Sequence, residues 1–151
     1  MLAGAALLVA FLTSGVHAQT WNGGTGNWST GTMWTPNGVP NGNAADVKVD
    51  NGNATNSVVS VDGSFTVGRL TIDLGDTVGI NNIQQLTITD AGGLGAIINN
   101  GLLSINATGN LTFLTISGNV SLSGTGTTTL GGANAFITGS GRLTNSSTIN
   151  G

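Results

Sequence analysis

The chain has 151 residues, about half of them Gly, Thr, Asn and Ser, and only nine are charged: three Lys or Arg and six Asp, for a net charge of −3. Glu, Tyr and Cys are absent. This balance excludes a helical domain built on Glu and Lys, a basic nucleic-acid-binding surface and a disulfide scaffold or thiolate metal site; the many Val, Ile and Leu residues argue against disorder.

Leu2 to Leu12 form an unbroken run of apolar residues and Gly, followed by Thr13-Ser14-Gly15 and then Val16-His17-Ala18. The run suits a signal-peptide core and is too short to span a bilayer. The expected mature chain therefore starts after Ala18, and residues 1–18 are read as an export signal. No Lys or Arg precedes the run, which departs from the usual pattern. His17 is the single histidine and leaves with the leader. What remains cannot assemble a Ser–His–Asp or Cys–His nucleophile and lacks imidazole and thiolate metal ligands. The expectation is a non-enzyme with no cofactor and no metal.

Residues 19–64 hold all three Trp, both Pro and four of the six Asn-Gly pairs. Apolar alternation starts only at Val47/Val49 and Val59/Val61, so the segment reads as an N-terminal cap with the first coil of a solenoid, whose first rung would otherwise expose its core and strand edges.

From residue 65 to 151 the apolar residues alternate in pairs or triplets: Phe65/Val67, Leu70/Ile72/Leu74, Val78/Ile80, Leu86/Ile88, Leu103/Ile105, Leu111/Phe113, Leu114/Ile116 and Val120/Leu122. Period-2 alternation places each set on one face of a strand, with Thr, Ser and Asn on the other. Gly and Asn pairs punctuate the runs and supply turns. Apolar runs recur about every 7.6 residues, and three steps make roughly 23 residues, one coil of a three-sided β-helix. Ile98-Asn-Asn-Gly-Leu102 echoes Thr148-Ile-Asn-Gly151, so the chain reads as stopping within a repeat. The expected fold is all-β: a right-handed parallel β-helix with a Trp-rich cap. A β-sandwich built from the same strands is the alternative.

The opening Trp21-Asn-Gly-Gly-Thr-Gly-Asn-Trp28-Ser29, then Met33-Trp34, Val39-Pro40 and Asp46-Val-Lys-Val49, resembles the start of bacterial exported β-strand-repeat proteins of the autotransporter-passenger and PEP-CTERM-anchored kind. The later Leu-Thr-Ile and Ile-Ser-Gly-Asn-Val-Ser-Leu runs are similar to their repeats. The resemblance implies a secreted or cell-surface structural or adhesive passenger, with surface polysaccharide or a neighbouring cell as partner and no catalytic residues to carry over. The families' translocating barrel and sorting tail are missing here, so the sequence reads as an N-terminal fragment.

Three features carry alternatives. Trp21, Trp28 and Trp34 lie within 14 residues. They form either a sugar-stacking platform, as in a carbohydrate-binding module, or a lid over the first coil; the resemblance favours the lid. Asp73 and Asp76 are the paired carboxylates a glycoside hydrolase would use, although Gly75-Asp76 reads as a turn, and Arg69 or Lys48 is the base a polysaccharide lyase would use. Asp46, Asp50, Asn51 and Asn53 form an oxygen-rich loop that reads as Asx turns rather than a calcium site.

Overall fold

The computed structural model describes residues 15–49, 52 and 55–151. The N-terminal part contains β1 (His17–Trp21), β2 (Thr25–Asn27), a 3-10 turn over Gly31–Met33, β3 (Trp34–Thr35) and β4 (Gly42–Val49). Twelve strands follow: β5 (Val58–Val61), β6 (Ser64–Ile72), β7 (Thr77–Ile80), β8 (Gln85–Thr89), β9 (Ala96–Asn99), β10 (Leu102–Asn106), β11 (Thr112–Ser117), β12 (Asn119–Ser123), β13 (Thr127–Gly131), β14 (Ala135–Thr138), β15 (Arg142–Asn145) and β16 (Thr148–Asn150).

These strands form a β-solenoid of about five turns with parallel sheets. The first face stacks the N-terminal half of β6 with β8, β11 and β14. The second stacks β4, the C-terminal half of β6, β9, β12 and β15. The third stacks β2, β5, β7, β10, β13 and β16. A sandwich of antiparallel sheets is ruled out, because among the described strands only β1 with β3 pairs antiparallel. The residue-65 boundary is not a break in the stacking: β6 begins at Ser64 and pairs along its length with β4, β8 and β9.

Alternation along each strand builds the interior. The first face contributes the ladder Phe65–Leu86–Leu114–Ile137, the second Val47–Leu70–Ile97–Leu122 and the third Val59–Val78–Leu103–Thr128–Ile149. Most of these side chains are fully buried, and each buried Val, Leu or Ile contributes roughly 1.5–3 kcal/mol. Polar side chains are buried as well, Asn99 and Thr128 among them. Asn99 donates through Nδ2 to the Thr127 carbonyl at 2.9 Å and to Thr128 Oγ1 at 3.4 Å.

The register corrects the apparent repeat. Ile149 stacks on Thr128 and, one rung further, on Leu103, so the counterpart of Thr148-Ile149 is Leu102-Leu103. Ile98 belongs to the second face, stacked on Thr71. The echo of Ile98–Leu102 arises from similar turn chemistry at two different corners. The rungs also vary in length: Thr77 stacks on Val58, 19 residues earlier, whereas Leu102 lies 25 residues after Thr77. Loops absorb the difference, because stacking fixes only the strands.

The Asn-rich turns have a structural task. Their side chains accept backbone N–H groups from the neighbouring coil. Asn41 Oδ1 accepts from Thr66 at 2.9 Å, Asn100 Oδ1 from Thr125 at 3.2 Å and Asp90 Oδ2 from Asn119 at 2.8 Å. Asn82 Oδ1 accepts from both Thr108 and Asn110, at 3.0 and 3.1 Å. These corners lie where strand ladders end, and the side chains continue the hydrogen-bonded stack through the turns. Asn82→Ala is expected to cost about 1 kcal/mol and to speed amide exchange at Thr108 and Asn110, as read by hydrogen-exchange mass spectrometry.

Candidate functional site

The three tryptophans converge at the N-terminal end, where β1 and β3 close the sheet edge. Trp21 and Trp34 meet edge-to-face at 4.9 Å, Trp28 and Trp34 at 5.0 Å, and Trp28 stacks on Phe65 at 5.9 Å. Every indole N–H is bonded within the fold: Trp21 to the Gly24 carbonyl, Trp28 to that of Pro40 and Trp34 to that of Trp28. All three are at most 1% exposed. The sugar-stacking platform on Trp21, Trp28 and Trp34 is therefore corrected: a ring buried on both faces offers no surface to a pyranose.

The side chains of Asp76 and of the Asp46–Arg69 pair are engaged in structural bonds. Asp76 is buried, and its Oδ1 accepts the Ser57 N–H at 2.7 Å. Asp73 lies in the same turn, its carbonyl accepting the Asp76 N–H at 3.1 Å. On the second face, Arg69 Nε donates to Asp46 Oδ1 at 2.7 Å and Nη2 donates to Oδ2, a two-pronged pair between adjacent rungs. Donating these hydrogen bonds to Asp46 raises the Arg69 pKa above its ordinary value. Both partners keep contact with solvent, so Asp46→Asn is expected to cost less than about 1 kcal/mol. Asp50, Asn51 and Asn53 lie outside the described residues, and among the described residues no three His, Cys, Asp or Glu side chains cluster as a metal site would need.

A depression of about 660 Å³ lies beside the first coil between His17, Gln19, Asn41–Ala45 and Gly92. Its lining mixes Gly and Ala with Gln19, Asn41 and Asn43, and His17 is the one titratable group in it.

The surface feature that sets one region apart lies on the first face. Its outward residues form two columns, Ser64–Gln85–Phe113–Phe136 and Thr66–Thr87–Thr115–Thr138. Phe113 and Phe136 stack at 6.1 Å on the outside of the solenoid. Ile83 and Leu111 lie just before β8 and β11, at the same end of the face, where the Phe113 N–H bonds to the Gln84 carbonyl at 3.1 Å. Ile83, Leu111 and Phe136 are 62%, 54% and 40% exposed, so with Phe113 this end of the face presents four apolar side chains on three neighbouring rungs.

Sequence alternation places Leu111 and Phe113 inward and misses this strip. Leu111/Phe113 and Leu114/Ile116 have opposite parity, so one uninterrupted strand cannot bury both sets. The strand buries Leu114 and Ile116, and Phe113 faces out. Leu74 is likewise not core: it follows the end of β6 and is 80% exposed.

Ile83 is unusual in its backbone as well. Its φ is +67°, and every other described residue in this region of φ is glycine. A β-branched residue there is sterically strained. Ile83→Gly is expected to leave thermal stability unchanged or raise it by up to about 1 kcal/mol, because relieved strain outweighs the added chain entropy; calorimetry measures this.

No family model, curated protein or solved structure matches the chain. Among the described residues no helix is long and apolar enough to cross a membrane.

Proposed function

We propose that this chain is an exported, non-catalytic structural and adhesive protein that acts at the cell surface or outside the cell. The observation that carries the reading is the first face: hydroxyl ladders on a rigid solenoid, interrupted by one exposed strip of Ile83, Leu111, Phe113 and Phe136. Exposed contiguous apolar surface on a soluble protein marks an interaction site. Parallel stacking holds the side chains at fixed spacing of about 4.8 Å per rung, which makes a recognition surface without a pocket.

The apolar leader supports export, as does the resemblance of Trp21–Val49 to exported repeat proteins. Cleavage after Ala18 removes His17 and Ala18 from β1 and leaves Gln19 and Thr20 paired with Val47 and Lys48. The cap then still closes through Trp21 and Trp34. The first test is the mass of secreted protein, with an N-terminus at Gln19 expected; mature material that retains Met1 overturns export. The second is attachment. Beads coated with the protein are expected to adhere to a cell surface or to one another, and beads carrying Leu111→Asp to adhere several-fold less. Equal adhesion by both overturns the adhesive role of the strip.

A further inference from the structure

We infer that the occupant of the first face is a second copy of this chain, packed face to face through the strip Ile83–Leu111–Phe113–Phe136 and the flanking threonine column. The inference rests on the adhesive reading of this face and names its partner.

The stacking geometry decides against a sugar ring as occupant. Phe113 and Phe136 lie with planes 29° apart and turn ring faces toward one another. Together with the aliphatic Ile83 and Leu111, this makes a surface suited to side-chain interdigitation rather than to stacking a flat pyranose. The adjoining column Thr66–Thr87–Thr115–Thr138 is β-branched and uniform, the kind of surface on which a second sheet packs at about 10 Å.

Charge points the same way. The outward residues of the face are Ser, Thr, Gln and Phe, without an ionised group. The second face, by contrast, carries Asp46, Lys48, Arg69 and Arg142. Two copies with a net charge of −3 each repel overall, and a neutral face lets them approach without burying like charges. A neutral, mainly apolar patch is self-complementary, as a two-fold interface requires. The third face is a weaker candidate: its outward Val58 and Leu102 are separated by the rung of Thr77.

Ile83 is the second, independent observation. A strained isoleucine mostly in water contributes little to folding, and glycine would serve the turn better. An occupant that covers it accounts for its presence.

The area sets the strength. Four rungs span roughly 14 Å between outer strands, and Ile83 to Thr89 reaches at most about 20 Å, so each copy offers on the order of 300 Å². A standard interface buries about 800 Å² per partner. An interface this small is expected to be weak in solution, and to gain strength when many copies are displayed on facing surfaces.

Sedimentation equilibrium of the purified protein from 10 µM to 1 mM tests this. A monomer–dimer equilibrium is expected, weakened at least tenfold by Leu111→Asp and by the milder Phe136→Ser, and unchanged by Leu74→Asp, which adds the same charge away from the face. Tryptophan emission confirms that each variant is folded. Because the chain lacks cysteine, Thr115→Cys places a single thiol on the face. It is expected to form a disulfide-linked dimer under mild oxidation at least tenfold faster than Leu74→Cys. Four results each overturn the inference: a monomer at 1 mM, association indifferent to Leu111→Asp, equal weakening by Leu74→Asp, or equal cross-linking rates. Retention of a monomeric protein by an insoluble glycan, lost in Leu111→Asp, would preserve the adhesive reading and replace the second copy by a polysaccharide.

Discussion

Trp28→Ala is expected to lose roughly 3–5 kcal/mol of stability, the range for removing a large aromatic from a closed core. Trp28 is fully buried and is the hub of the N-terminal cap. It meets Trp34 edge-to-face, stacks on Phe65 of the first face and donates its indole N–H to the Pro40 carbonyl at 3.0 Å. Alanine removes both ring contacts, opens a cavity and leaves the buried carbonyl of Pro40 without its donor. In a solenoid each coil is stabilised by its neighbours, so the loss is local in space. Hydrogen exchange is expected to accelerate in β2 and β5, which lie beneath the cap, and to change little in β10 and β13. Trp28→Phe, which keeps most of the volume, separates the two contributions and is expected to cost about half as much. A loss below 1 kcal/mol for Trp28→Ala, or uniform acceleration along the chain, would falsify the cap as the first coil's lid.

How much of this was legible in the sequence depends on what each residue answers to. The parallel solenoid was, because Leu70/Ile72 and Leu86/Ile88 alternate around Thr71 and Thr87, Val78/Ile80 around Gly79, and the runs are broken at short intervals by Gly and Asn. The burial of the tryptophans was left open between lid and platform, since a Gly-rich segment does not specify its own backbone. What closes it is non-local: Phe65, 37 residues after Trp28, supplies the ring on which Trp28 stacks. The outward strip was missed for a different reason. Phe113 reads as core by residue type, and only the parity conflict with Leu114 and Ile116 marks it as external. Coil register was also hidden. Loops of unequal length let Ile149 stack over Leu103 while the letters around it resemble those at Ile98. The hydrogen bonds that Asn82 and Asp90 accept from the next coil depend on that register, so an Asn or Asp turn by itself does not reveal its partner.

Gly101→Ala and Gly126→Ala carry the second large effect, for reasons of space rather than of backbone angle. Both glycines sit at the corner that leads into the third face, one before Leu102 and the other before Thr127. The Asp76 carbonyl accepts the Leu102 N–H at 2.9 Å, and the Gly101 carbonyl accepts the Thr127 N–H at 3.0 Å. Each carbonyl thus lies directly against the glycine of the next rung. A methyl group on Gly101 would overlap the Asp76 oxygen and approach that of Asp73 to 2.5 Å; one on Gly126 would overlap the Gly101 oxygen and come within 2.7 Å of the Gly101 nitrogen. These neighbours are backbone atoms held in the ladder and cannot rotate away, so the rungs must separate. Each substitution is expected to cost about 2–3 kcal/mol, the upper part of the range for overpacking. Because the two sites occupy adjacent rungs and share the Gly101 carbonyl, the double variant is expected to be non-additive. Gly79→Ala supplies the contrast. It lies within β7, and the nearest atom to an added methyl is Asn106 Nδ2 at 3.1 Å, the end of a side chain that can move. That substitution is expected to be neutral or to stabilise by up to about 1 kcal/mol, through reduced freedom of the unfolded chain. Urea unfolding of the three single variants measures the difference. Equal losses for Gly79→Ala and Gly101→Ala would show that chain entropy, and not the carbonyl beneath the corner, sets the requirement for glycine.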